Sequence, residues 1–384
     1  MIRPADRLAN VSEYWFSKKL KEIAALRAEG ADIISLAIGG PDLPPPAAAV
    51  DAAVSTLHDP TSHRYQMTVG IPALRRAFAD WYARYYHISD LNPDTEILPL
   101  IGSKEGVLNV SLAFLNPGDK VLVPDPGYPT YTSASRIALA DIVTYSLTEQ
   151  NNWLPDIEAL EKKDLSGVKL MWVNYPHMPT GTPADISLFE QLVSFGKRHD
   201  IVIVNDNPYS FILNDKPLSI LSVPGARDIC IELNSLSKCL NMSGWRVGML
   251  ASNPEFINWI LAVKSNIDSG QPRAIMEGAV AALSSPDSWY RELNATYAAR
   301  QKVAYRIVEA LRCHAAPGQQ GLFIWARIPD SAENSQTFAQ HILDRYQIFI
   351  TPGFIFGANG DRYIRISLCA PEETLTQALN RLCQ

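Results

Sequence analysis

The sequence predicts an α/β fold: a mainly parallel sheet covered on both faces by helices, followed by a smaller α+β unit. Three observations carry this expectation. Short apolar runs rich in β-branched residues recur at 121–123, 142–145, 170–173, 201–204, 229–233 and 247–250, helical periodicity fills most of the gaps, and the texture changes after Ser285. Strands covered on both faces read as continuous apolar runs, and alternation with helices supplies the crossovers that a parallel sheet needs.

With 384 residues the chain is long enough for two or three units, and at this size about three quarters of the unfolded surface can be buried. Hydrophobic residues make up 47% and charged residues 19%, an ordinary globular balance that excludes disorder as the main state. The net charge of −6 argues against nucleic acid or an anionic membrane as partner, because both need clustered basic charge. Cys230, Cys239, Cys313, Cys369 and Cys383 are odd in number and never form a CxxC pair, so they read as reduced thiols. The polar opening MIRPADRLANVSEYWFSKKL has no apolar core of a signal peptide, and no window reaches the roughly eighteen apolar residues of a membrane span. A cytoplasmic protein is expected.

Taken in chain order, the first 45 residues are too few for a domain and are expected to pack on the C-terminal unit. Residues 46–285 form the large α/β domain. Its clearest helix starts at Pro72, a good first-turn residue, and carries Leu74, Phe78, Trp81, Tyr82 and Tyr85 on one core-facing stripe. The smaller domain at 286–384 contains a long polar helix over 289–311, the run GLFIWARIP, a second helix over 337–346 and the run RYIRISL.

Three segments carry chemistry. Gly102-Ser103-Lys104 lies between an apolar run and a helical stretch, so free amides at a helix N-terminus could meet a phosphate; a plain strand-to-helix turn would look the same. Asp206, in Asn205-Asp206-Asn207-Pro208-Tyr209, follows a strand, where ligands of open α/β sheets sit. Its carboxylate could hold a protonated ring nitrogen or serve as a turn or N-cap aspartate. The sharpest segment runs from Asn234 to Gly248: Lys238 stands among Ser235, Ser237 and Ser243, with Arg246 eight residues on. Hydroxyls and a guanidinium bind phosphate, and a lysine desolvated near other cations can form a Schiff base. His63, His199 and His314 have no ligand-like spacing, so no metal site is expected.

The sequence from about residue 30 onward resembles the class I/II aminotransferases, pyridoxal-phosphate enzymes of fold type I. LAIGGPD at 36–42, YQMTVGIPALR at 65–75, IGSKEG at 101–106, PDPGYP at 124–129, PTG at 179–181, NDNPY at 205–209, SLSKCLNMSGWRVG at 235–248 and YIRIS at 363–367 carry the resemblance. It implies a seven-stranded sheet in the large domain and pyridoxal 5'-phosphate bound by Lys238 as a Schiff base, with amino transfer to a 2-oxo acid through pyridoxamine phosphate. Lys238 would move the Cα proton, and Asp206 would keep the pyridine nitrogen protonated. Tyr128 would stack on the ring and Tyr209 would donate to the ring oxygen. Gly102, Ser103, Lys104, Ser235 and Arg246 would hold the phosphate, helped by Tyr65 reaching across a homodimer interface. Arg365 would clamp the substrate carboxylate, with a backbone group of Gly39 beside it.

One position departs from the pattern. Met178 stands in His177-Met178-Pro179-Thr180-Gly181 where an asparagine usually donates to the ring oxygen. Asn174 or His177 are the candidate substitutes, and the alternative is that Tyr209 suffices. The segments 101–106, 241–248 and 265–270 resemble the branch of LL-diaminopimelate and glutamate–pyruvate (alanine) aminotransferases. Arg273 is either a ligand for a distal carboxylate or an exposed helix arginine. A β-eliminating C–S lyase is an alternative on the same fold, and a non-catalytic sensor domain is a third.

Overall fold

The apolar runs assemble into one sheet. In the computed structural model, which describes residues 2–8 and 15–383, seven strands lie in the order Ile97–Leu100, Gly248–Ala251, Cys230–Ser235, Val202–Asp206, Val168–Val173, Lys120–Asp125, Asp141–Ser146. Neighbours are parallel except at Gly248–Ala251, which runs antiparallel to both strands beside it. Six strands lie within two residues of the predicted runs, and the seventh, Ile97–Leu100, is the apolar run before Gly102.

Both faces of this sheet are covered, which is why the strands lack polar alternation. Leu122, Met171, Val173 and Ile203 pack on one side with Phe189 and Phe195. Val121, Leu170, Trp172, Val204 and Ile231 pack on the other with Val107, Val110 and Phe256. Each such side chain contributes roughly 1.5–3 kcal/mol through burial. The predicted helix spans Pro72–Tyr86 and ends at His87, whose φ is 59°. Tyr86 joins Leu74, Phe78, Trp81 and Tyr82 on its buried face, whereas Tyr85 is half-buried and donates its hydroxyl to Asp287 at 2.9 Å.

The chain after Ser285 makes helices Asp287–Ala310, Ser335–Tyr346 and Glu372–Leu382, and an antiparallel sheet of Phe323–Arg327, Tyr363–Ser367 and Thr351–Pro352. Near the N-terminus, Ile34–Ser35 pairs in parallel with Ile348–Phe349, and Ser367 N donates to Leu36 O at 2.8 Å. This pairing lays residues 37–39 alongside the strand that carries Arg365. No helix among the described residues is long and apolar enough to cross a membrane.

Candidate active site

The carboxyl ends of the parallel strands share one edge of the sheet, and the residues just beyond them meet there. Gly102 follows Ile97–Leu100, Tyr128 follows Lys120–Asp125, Asn174 follows Val168–Val173, Asp206 closes Val202–Asp206, and Ser235 ends Cys230–Ser235. Tyr128, Asn174, Asp206 and Ser235, with Gly39, Ser103, Lys104, Tyr209, Lys238, Arg246 and Arg365, line a cleft of about 580 Å³, and Gly102 immediately precedes Ser103. Sequence segments far apart in the chain thus converge on one space. Tyr65 is 93% exposed and lies outside this cleft, as does Arg273, which pairs with Asp59 at 3.6 Å and Glu277 at 3.4 Å.

Lys238 sits in the single helical turn Leu236–Cys239, whose N-cap Ser235 accepts from Ser237 N. Its Nζ donates to Gly39 O at 2.6 Å. Burial holds the Lys238 amine below the ordinary lysine value; Arg365 and Arg246 push the same way, while Cys369 and Asp206 oppose them. A shift in this direction favours the free amine, the form that attacks a carbonyl. Gly39 has no room for a side chain, because a Cβ would lie 2.3 Å from the Phe323 ring.

Asp206 is buried. Its Oδ2 accepts from the Tyr131 hydroxyl at 2.9 Å, and its Oδ1 has no partner among the described residues. Burial pushes its carboxyl up to about 6, against the Tyr131 hydroxyl and the Lys238 ammonium, which both lower it. Burial also raises the Tyr209 hydroxyl far above its ordinary value, so Tyr209 remains a protonated donor.

At the other end of the cleft, helix Ser103–Phe114 begins at Gly102 with no side chain capping its first amides. Arg246 leans over this turn, with Nη2 donating to Ile101 O at 3.4 Å and Nη1 to Ser243 O at 2.9 Å. Ser237 Oγ lies 3.5 Å from the same Nη1 and accepts from Ser235 Oγ at 2.9 Å. Uncapped amides, hydroxyls, Lys104 and a guanidinium make an anion cradle.

Arg365 lies on Tyr363–Ser367, and its guanidinium stacks 3.8 Å above the Phe323 ring and 4.7 Å from the Phe356 ring. Its Nη2 donates to Ala37 O at 3.0 Å. Its Nη1 donates to the Met178 sulfur at 3.4 Å, so the thioether touches the arginine as an acceptor. Asn174 Nδ2 donates one N–H to Asp206 O and its Oδ1 accepts from Met178 N at 2.8 Å, which leaves its second N–H to take the place of the lost amide. His177 is held in the turn by Thr180 Oγ1 at 2.8 Å, and burial lowers its ring to about 3.

Sequence reasoning missed Tyr131, Phe323 and Phe356, which line the cleft. Tyr131 had a signal, since it follows Tyr128 by three residues on a new helix and so shares its face. Phe323 and Phe356 had none, because an apolar residue under a guanidinium reads as core.

The sequence profile of the family described as aminotransferase class I and II matches residues 31–382. The chain therefore belongs to that family, and it is a pyridoxal-phosphate-dependent aminotransferase of fold type I. The curated relatives include an LL-diaminopimelate aminotransferase of Dehalococcoides mccartyi, 42% identical over 99% of this chain and 98% of the relative. A protein of the same name from Aquifex aeolicus is 38% identical over 100% and 99%. Among solved structures, apo-BacF of Bacillus subtilis superposes with a TM-score of 0.94 at 33% identity, covering 99% of this chain and 97% of that one. The family assignment favours amino transfer over β-elimination.

The residues fit the cofactor. Asp206 Oδ1 is a buried acceptor without a donor, as a protonated ring nitrogen requires. The Gly102 turn is a phosphate-sized cradle, and a lysine of depressed basicity stands between the two.

Proposed function

We propose that the enzyme takes the amino group of LL-diaminopimelate and passes it to a 2-oxo acid, working as a cytoplasmic homodimer. The observation that carries the substrate is the name shared by curated relatives at 38–42% identity along the whole chain. The cleft is compatible with it. Among the described residues, its charged side chains are Lys104, Asp206, Lys238, Arg246 and Arg365, all of which the cofactor and the α-carboxylate would occupy. On this reading the distal ammonium and carboxylate of the substrate are met by the partner subunit.

When bound, pyridoxal phosphate supplies an electron-withdrawing ring that accepts the electron pair released at the substrate Cα. The protein does the rest. Lys238 would hold the cofactor, and its freed Nζ would carry the proton from the substrate Cα to the cofactor carbon C4′. Asp206 would keep a proton on the ring nitrogen, Tyr128 would pack on the ring, and Tyr209 would donate to the ring oxygen. Gly102, Ser103, Lys104, Ser235 and Arg246 grip the phosphate, with Tyr65 from the partner subunit. Arg365 binds the α-carboxylate through its fork of N–H groups, and the Phe323 and Phe356 rings fix the plane of that fork. The two-part division into 46–285 and 1–45 with 286–384 places Arg365 on one part and Lys238 on the other. Closure of the two parts would then shut the substrate in. The cytoplasmic reading rests on the free cysteines, three of which are buried.

The test is a panel of amino donors with 2-oxoglutarate as acceptor and glutamate formation as readout. LL-diaminopimelate should exceed L-aspartate, L-alanine and L-phenylalanine in kcat/KM by on the order of tenfold or more. Preference for an aromatic or small neutral donor would overturn the substrate.

A further inference from the structure

The segment 264–271 lies outside the cleft, yet it bonds Glu105 in the first turn of the cradle helix and the backbone of Arg246. Lys264 ends helix Pro254–Lys264, and its side chain is 1% exposed. Its Nζ donates to Glu105 Oε1 at 3.0 Å and Oε2 at 3.3 Å, and to Asp268 Oδ2 at 2.5 Å. Glu105 belongs to the first turn of the cradle helix. There its Oε2 also accepts from Ile101 N at 2.5 Å and its Oε1 from Asn109 Nδ2 at 2.7 Å, so it fixes the residue that leads into Gly102. Two carboxylates flank one buried ammonium, and removing the ammonium would leave both charges unneutralised.

Asp268 extends the connection in two directions. Its Oδ1 accepts from Gly270 N at 2.8 Å, and its carbonyl accepts from Thr68 Oγ1 at 3.4 Å. Gly270 has φ +90° and passes so close to residues 66 and 67 that a Cβ would lie 2.7 Å from Gln66 O and 2.8 Å from Met67 O. One residue on, Gln271 Nε2 donates to Arg246 O at 2.8 Å. The Gly102 turn, the Arg246 backbone and the loop that presents Tyr65 are thus tied through one buried lysine.

We propose that Lys264 is a positioning residue for the cofactor phosphate, setting the Gly102–Lys104 turn, Arg246 and the Tyr65 loop in register through Glu105 and Asp268. The ion triad touches neither substrate nor cofactor. It acts through the groups it holds, as supporting shells do around a preorganised site. The part concerning Tyr65 rests on the reading that Tyr65 serves the partner's phosphate site; the part concerning Gly102 and Arg246 stands within one subunit.

The experiment compares Lys264→Met, Lys264→Arg, Asp268→Asn and Tyr65→Phe in the full-length dimer. Cofactor dissociation constants are read by absorbance, with inorganic phosphate as competitor. Lys264→Met and Asp268→Asn should weaken cofactor binding by roughly tenfold and weaken phosphate competition in parallel. Their kcat at saturating cofactor should stay within about twofold of the parent. Lys264→Arg should restore most of the affinity, since it restores the charge. A purely structural role would lower the thermal midpoint and leave both affinities unchanged, and that result overturns the proposal. Should Lys264→Met not fold, Asp268→Asn decides, because it keeps the Lys264–Glu105 pair and an acceptor for Gly270 N and weakens only the ion pair between Lys264 and the 268–271 segment. If Tyr65→Phe binds cofactor like the parent while Asp268→Asn does not, the partner reading of Tyr65 fails and the Lys264 proposal stands.

Discussion

Asp206 carries a carboxyl that burial raises to about 6 from an ordinary 3.8. The folded cofactor-free protein therefore holds that proton more tightly than the unfolded chain does, so stability falls as pH rises from about 4 to 6 and stays lower above. Two pKa units correspond to roughly 3 kcal/mol. Asp206→Asn should make the cofactor-free protein more stable than the parent at pH 8 by up to about that amount, with the gain vanishing near pH 4; thermal midpoints across pH check this. A pH-independent difference would show that the buried charge is not its source. Met178 makes a second test at this scale. Its sulfur meets Arg365, and Asn174 has one N–H committed to Asp206 O, so on the proposed assignment Tyr209 is the principal donor for the ring oxygen. Met178→Asn adds a donor and should move the visible absorbance transition of the loaded enzyme to lower pH by about one unit, the equivalent of one good hydrogen bond. Coincident titrations would mean that Tyr209 already saturates the position.

The turn from Ile97–Leu100 into helix Ser103–Phe114 works because Gly102 has φ 73° and no Cβ. A methyl there would lie 2.1 Å from Arg246 Nη2. Gly102→Ala should cost about 1–3 kcal/mol in backbone strain and displace the guanidinium, so cofactor affinity falls. Gly118→Ala is the control: its φ is +84°, with nothing within 4 Å, so it should lose stability and keep cofactor affinity. Equal cofactor affinities in the two variants would rule out the steric account. At this scale the sequence was informative. The strands were legible because burial on both faces leaves continuous apolar runs, and the first glycine of IGSKEG was legible because few other residues tolerate that turn. Phe323 under Arg365 and the tie of Lys264 to Glu105 were not, because a core phenylalanine and an ion pair between residues 159 apart leave no local pattern; only the i,i+4 pair of Lys264 with Asp268 has one. The first two exist only once distant segments meet.

At the scale of the molecule, one helix presents an exposed apolar face that no described residue covers. Helix Ala47–Leu57 buries Ala49 and Ala53 yet exposes Val50, Val54 and Leu57, a stripe at helical spacing. Ile38, Tyr65, Met67 and Ile267 are exposed as well. In the proposed homodimer this apolar surface would be the interface, and a second copy would bring Tyr65 to the neighbouring phosphate cradle. Val54→Lys should shift sedimentation from dimer to monomer and remove activity with it. A fully active monomer would contradict the shared site.

All of these rest on Lys238 as the residue that holds the cofactor. Borohydride reduction of the loaded enzyme followed by peptide mapping tests this most directly. The account predicts a single pyridoxyl label on Lys238, whose Nζ is buried in the cleft beside Gly39. A label on Lys104, Lys264 or any other lysine would contradict it.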